Sequence, residues 1–170
     1  LYKQEVGHSV DGVIMFTPTL IEQVLQILGP IHVPGYNETI TAQNLEDRLH
    51  YYQLDNAGML KQIVLQPGKT WTSDRKRFTA YLSLLLMDRV RHASLDEMFA
   101  IARQMLHDLK TKDLQVYFTN PQIEDLLVQY GYAAQMDRST THDGLYVVQE
   151  NLSATKASQY VQTILHDTVT

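Results

Sequence analysis

Twice in this chain a short β-prone run leads straight into a capping residue followed by proline. Residues 10–17 (V-D-G-V-I-M-F-T) lead into Thr17-Pro18, and residues 114–119 (L-Q-V-Y-F-T) lead into Asn120-Pro121. Proline fits the first helical position because its missing N–H would be unbonded there and its φ is already helical. Each pair therefore predicts a strand followed at once by a helix. Behind Pro18, Leu20, Ile21, Val24, Leu25 and Leu28 fall on one helical face, and Gly29-Pro30 ends the helix. Behind Pro121 a short helix runs over Ile123, Leu126, Leu127 and Tyr130 and stops at Gly131. Strands alternating with helices predict a mixed α/β (α+β) fold, with a central sheet of about four to five strands packed by about four to five helices.

The intervening segments fill in this frame. Residues 31–41 (I-H-V-P-G-Y-N-E-T-I-T) place two β-prone pieces around Pro34-Gly35, which suggests a hairpin or an extended excursion. Thr41 can cap a helix through Asn44, Leu45, Leu49 and Tyr52. Residues 55–72 read as irregular with some helix. Residues 73–92 form the strongest helical pattern, with Phe78, Tyr81, Leu82, Leu85 and Leu86 on one face. Ser94 and Glu97 make a capping box. The helix it opens is expected to bury Leu95, Met98, Phe99, Ala102, Met105, Leu106 and Leu109, and to pair antiparallel with its predecessor. Residues 145–149 read as a strand. The spacing of Tyr160, Val161, Ile164 and Leu165 fits a helix, but the β-branched content of residues 158–170 favours a strand. The expected sheet therefore joins strands near residues 12–17, 114–119, 145–149 and 159–167, the last two as an antiparallel C-terminal hairpin.

Composition narrows the classes. A 170-residue chain with 44% apolar residues suits one domain, spanning residues 1–170, with a real core. The net charge of −5 gives no basic face for nucleic acid. Cysteine is absent, which removes thiol catalysis, disulfides and cysteine metal sites. No apolar stretch approaches the roughly 20 residues that span a bilayer. Leu1 stands where an initiator Met would, so the chain is expected to be a fragment of a larger protein, with any export signal or anchor outside it.

Chemical motifs are sparse. The sequence carries no dinucleotide fingerprint, P-loop, nucleophile elbow or H-E-x-x-H. Its seven histidines show no ligand spacing, so no metal and no cofactor are expected. The most suggestive cluster is Ser73, Asp74, Arg75, Lys76 and Arg77 at the start of the strongest helix. Cations at a helix N-terminus oppose the macrodipole, whereas an anion there gains free N–H groups and arginine forks. Ser73, Asp74, Arg75 and Arg77 are thus the candidate anion-binding residues. The simpler reading is a solvated first turn with Asp74 as compensating charge. Tyr51-Tyr52 and Trp71 could line a groove or belong to the core.

Taken in order, several segments resemble the bacterial domain of unknown function numbered 4012. They are Val10-Asp11-Gly12-Val13-Ile14, Thr17-Pro18, Leu28-Gly29-Pro30-Ile31, Val33-Pro34-Gly35 and Ile40-Thr41-Ala42-Gln43-Asn44. Leu114-Gln115-Val116-Tyr117-Phe118, Gly144-Leu145-Tyr146-Val147-Val148, Asn151-Leu152 and Lys156 are similar to the C-terminal part of the same family. The resemblance implies an exported or membrane-anchored bacterial parent protein and supplies no reaction. The family's N-terminal half, with its Gly-rich segment and Arg-Pro pair, has no counterpart here. A more distant likeness is to the LytR-CpsA-Psr phosphotransferases, whose later helix opens with an Asp and spaced arginines that contact a pyrophosphate. Asp74, Arg75 and Arg77 resemble that motif in compressed form, and its second spaced arginine and following glutamine are missing.

The expected function is that of a non-catalytic binding or structural module of the bacterial cell envelope, located outside the cytoplasm. Its expected partner is a cell-wall polymer, a lipid-phosphate head group or a protein, with membrane association only through segments outside this chain. The alternative is a phosphotransferase acting on polyprenyl-pyrophosphate-linked glycopolymer.

Overall fold

The computed structural model describes residues 7–65, 76–134 and 164. The chain divides into two compact units, Leu1–Gln135 and Met136–Thr170, and every element below lies in the first. In order these are β1 (Gly12–Phe16), α1 (Pro18–Leu28), β2 (Ile31–Val33), β3 (Glu38–Ile40), α2 (Leu45–Leu54), α3 (Asn56–Leu65), α4 (Arg77–Arg91), α5 (Leu95–Thr111), β4 (Leu114–Phe118) and α6 (Pro121–Gln129). The mixed α+β class holds. Instead of one larger sheet, the described residues form two antiparallel pairs, β1 with β4 and β2 with β3. The strands expected at residues 145–149 and 159–167, and their hairpin, lie outside the described residues.

The two proline signals start their helices, but their caps differ. Asn120 accepts from the backbone N–H groups of Gln122 (2.9 Å) and Ile123 (3.3 Å), as an N-cap should. Thr17 does not cap α1. Its hydroxyl donates instead to Asp113 Oδ1 (2.8 Å), and its N–H bonds to the Asp113 carbonyl (2.9 Å). That pair of bonds ties the start of α1 to the turn before β4, next to the pairing of Phe16 with Leu114.

The β2–β3 hairpin turns through residues 34–37, with Gly35 (φ 80°) and Asn37 (φ 53°) in the left-handed region. The Thr41 signal shifts by one turn. The Asn44 side chain accepts from the Thr41 N–H (2.8 Å), and the helix begins only at Leu45. Much of the stretch expected to be irregular is regular, because α3 follows α2 after the single residue Asp55. Gly58 makes that corner feasible, since a Cβ there would collide with the Tyr51 carbonyl oxygen. Gly58→Ala is expected to lower stability by about 1–3 kcal/mol or more, because backbone cannot step aside as a side chain does. A denaturant midpoint checks it.

Two cores lie on either side of α1. Leu25 joins Ile31, Val33, Tyr36, Ile40, Leu45, Tyr52, Phe78 and Leu82 in one. Leu20, Val24 and Leu28 join Ile101 and Leu114 in the other. The expected antiparallel pairing of α4 with α5 is replaced by a corner, in which α4 packs on β2 and α2 while α5 packs on α1 and β4. Arg89 sets this corner by donating to the Leu28 carbonyl (3.1 Å) while pairing with Glu97.

The Ser94–Glu97 capping box forms as expected. Hydrogen bonds from Arg89, then from Ser94, hold the Glu97 carboxyl down to about 2, from an ordinary value of 4.5. A carboxylate with a depressed folded value contributes stability above its unfolded value and loses it as pH falls. The corner is therefore expected to weaken between about pH 4.5 and pH 2. Thermal midpoints of the native chain and Glu97→Gln should converge across that window.

The burial expected for α5 is overturned. Phe99 is 69% exposed, and Leu95, Met98, Met105 and Leu106 are exposed with it. The face turned to α1 carries Ile101, Gln104 and Asp108 instead. Asp108 is fully buried and accepts from the Gln104 amide (2.9 Å), and the Gln23 amide of α1, turned so that its nitrogen faces Asp108, lies 2.9 and 3.0 Å from the two carboxylate oxygens. Good hydrogen bonds to a buried carboxylate selected this face over the apolar one. Helix α6 behaves alike. Glu124 is its buried residue and accepts from the Phe118 N–H (2.9 Å), while Ile123 and Leu126 face outward.

Candidate functional site

Of the four candidate anion-binding residues, Ser73, Asp74 and Arg75 lie outside the described residues, as does Trp71. Arg77 is the first residue of α4 and is half-buried. The N–H groups of that first turn are not all open to a ligand. The Phe78 N–H donates to Gln62 Oε1 (3.0 Å), and the same amide donates through Nε2 to the Tyr52 carbonyl (2.6 Å). Gln62 is fully buried. One neutral side chain thus joins the end of α2 to the start of α4.

A charged cluster sits on the other side of Tyr52. Its hydroxyl donates to Glu38 Oε1 (2.8 Å), and Lys61 Nζ donates to the same oxygen (3.2 Å). Arg48 Nε lies 3.6 Å from the second carboxylate oxygen. Burial pushes the Glu38 carboxyl upward, but the bonds from Tyr52 and Lys61 and the charge of Arg48 outweigh it, and the group stays below its ordinary range. Burial raises the Tyr52 phenol, so it remains a donor. The hairpin delivers Glu38, α2 delivers Arg48 and Tyr52, and α3 delivers Lys61.

This is a charge-compensated latch with a positive rim. One carboxylate faces two cations, both about two-fifths exposed. Such an arrangement fixes secondary structure and leaves one net positive charge at its mouth. It offers no base for a proton transfer, because the carboxylate is held ionised and its oxygens are engaged.

Tyr52 belongs to the core rather than to a groove, stacked on Phe78 with ring centroids 4.0 Å apart. The backbone carbonyl of Asp11 accepts from both the Thr119 N–H and hydroxyl (2.9 Å each), next to the pairing of Gly12 with Phe118. Sequence reasoning missed Glu38, Arg48, Lys61 and Gln62. The one available signal was a lone carboxylate on the β3 side of the hairpin, followed within two helical segments by Arg48 and Lys61.

Residues 1–53 match the family described as "Protein of unknown function (DUF4012)". Over that stretch the chain is similar to DUF4012. The resemblance read from residues 10–44 is thereby borne out, while residues 114–118 and 144–156 lie beyond the matched stretch. The DUF4012 match takes in β1, α1, the β2–β3 hairpin and all but the last residue of α2. It therefore contains Glu38, Arg48 and Tyr52, whereas Lys61, Gln62 and Phe78 follow it. No curated protein and no solved structure matches the chain.

Proposed function

We propose that this chain is a non-catalytic binding or structural module of a bacterial cell-envelope protein, held outside the cytoplasm by a membrane-anchored parent. The observation that carries this reading is the outward turn of apolar side chains. All four residues Val13, Ile14, Met15 and Phe16 of β1 are more than half exposed, and Tyr117 of β4 and Ile123 and Leu126 of α6 are exposed as well. A run apolar on both faces is the pattern of a strand covered on both sides. Exposed apolar surface of this kind marks a site of association, and the charged groups nearest the candidate anion site are occupied with one another.

Among the expected partners, a protein of the envelope fits the β1–β4 surface best. A polymer or lipid-phosphate head group would instead use the positive rim of Arg48 and Lys61, with Ser73, Asp74, Arg75 and Arg77 as the anion-binding turn.

Co-sedimentation with isolated bacterial envelopes tests the reading. The native chain is expected in the pellet, and an Ile14→Asp, Phe16→Asp double variant in the supernatant. Retention of both proteins in the supernatant would sink the binding role. Transfer or hydrolysis of a polyprenyl-pyrophosphate-linked glycan by the purified chain would overturn the non-catalytic part.

A further inference from the structure

The exposed stripe of α5 is separate from the β1–β4 surface, and its pattern is specific. Leu95, Met98, Phe99, Ala102, Met105 and Leu106 recur at the spacing of a coiled-coil seam, and all six are exposed. Counted from Ala102, they stand at −7, −4, −3, 0, +3 and +4. Leu109 completes the series at +7, where it leans toward the inner core. The stripe therefore reads alike in both directions, with its one small residue at the centre. The inner flank is committed to α1 through Ile101, Gln104 and Asp108. The outer flank carries Asp96, Arg103 and Lys110, all exposed, so its charge runs from negative to positive along the helix.

We infer that this stripe binds a second copy of the same chain, with the two α5 helices antiparallel about a two-fold axis at Ala102. Ala102 meets its own mate at the crossing, where a small side chain lets the backbones approach. Phe99 then lies across from the mate's Met105, a favourable sulfur–aromatic pairing, and Met98 across from the mate's Leu106. The outer flank selects this orientation. Asp96 is six residues before the axis and Lys110 eight after it, so in the antiparallel pair they differ in height by only about 3 Å. Two opposite-charge pairs result, and Arg103 alone lies beside its mate. A parallel pair would instead set this outer flank against the mate's inner flank, which α1 already covers. Such a contact is isologous and closes on itself as a dimer.

Sedimentation equilibrium of the 170-residue chain at increasing concentration is expected to show a monomer–dimer equilibrium. Ala102→Arg should leave only monomer. Asp96→Lys and Lys110→Asp should each weaken the dimer about ten-fold, because symmetry makes each reversal act twice. The combined Asp96→Lys, Lys110→Asp variant should recover the native dissociation constant, since both pairs are rebuilt with reversed sign. These surface reversals leave the cores untouched, and circular dichroism confirms the fold in each case. A native chain that stays monomeric would overturn the inference. A dimer indifferent to Ala102→Arg, or a double variant no tighter than the single ones, would do so equally.

Discussion

Phe78→Ala is expected to lower the stability of this chain by about 3–5 kcal/mol. The ring is fully buried near the start of α4 and stacks on Tyr52, with Tyr36 against its edge at 5.2 Å. Tyr36 also meets Tyr52 edge-on at 5.3 Å, so three rings close around one another. Truncation would remove one of the three rings and leave a void that the other two, being rigid, cannot collapse into. The loss would spread outward, because the Tyr52 ring positions the hydroxyl that bonds Glu38. Urea unfolding should show the midpoint falling with an unchanged slope. An unaltered midpoint would mean that the aromatic core does not hold α4 to the hairpin.

Phe78 and Phe99 show how far the sequence could be read. Each lies on an amphipathic helix with a clear apolar stripe. One is fully buried and the other 69% exposed. Periodicity identifies a stripe, but it does not say what will cover it. On α4 the stripe meets the hairpin of the same unit. On α5 the hydrogen-bond needs of Asp108 turned the opposite face inward, and that preference lives in Gln23, more than eighty residues earlier. Local signals fared better. The Asn120-Pro121 start, the Ser94–Glu97 box and the existence of strands β1 and β4 all rest on neighbouring residues or on short apolar runs. Thr17 gave the right helix start for an incomplete reason, since Asp113 competed for its hydroxyl.

The candidate site was harder to read for the same reason. Its first-turn arginines were visible as a charge cluster, yet the residue that occupies a backbone donor of that turn is a glutamine sixteen positions away. No short motif encodes such a link. Glu38, Arg48 and Lys61 come from three elements that converge only after the hairpin folds against α2 and α3. The DUF4012 stretch, by contrast, was legible because its order of turns and strands survives in the linear sequence.

Gln62→Leu is expected to lower stability by about 2–5 kcal/mol, although the substitution keeps the volume and adds apolar surface. The reason lies in the partners left behind. The Phe78 N–H and the Tyr52 carbonyl would both stay buried without the amide, and each unmatched group costs about 1–3 kcal/mol. The site is sealed from solvent, since Gln62, Tyr52 and Phe78 are all fully buried, so water cannot replace the lost bonds cheaply. Gln62→Glu separates this account from simple loss of shape. An ionised carboxylate there can accept from Phe78 N–H but cannot donate to the Tyr52 carbonyl, and it would be buried without a cation. Its folded pKa would rise above the unfolded value, so the variant should regain stability as pH falls and the protonated acid can donate again. Denaturant midpoints of native chain, Gln62→Leu and Gln62→Glu at about pH 7 and about pH 5 decide the matter. The gap between native and Gln62→Glu should narrow at the lower pH, and that for Gln62→Leu should not. Equal pH dependence in both variants would show that Gln62 fills space and does not join α2 to α4.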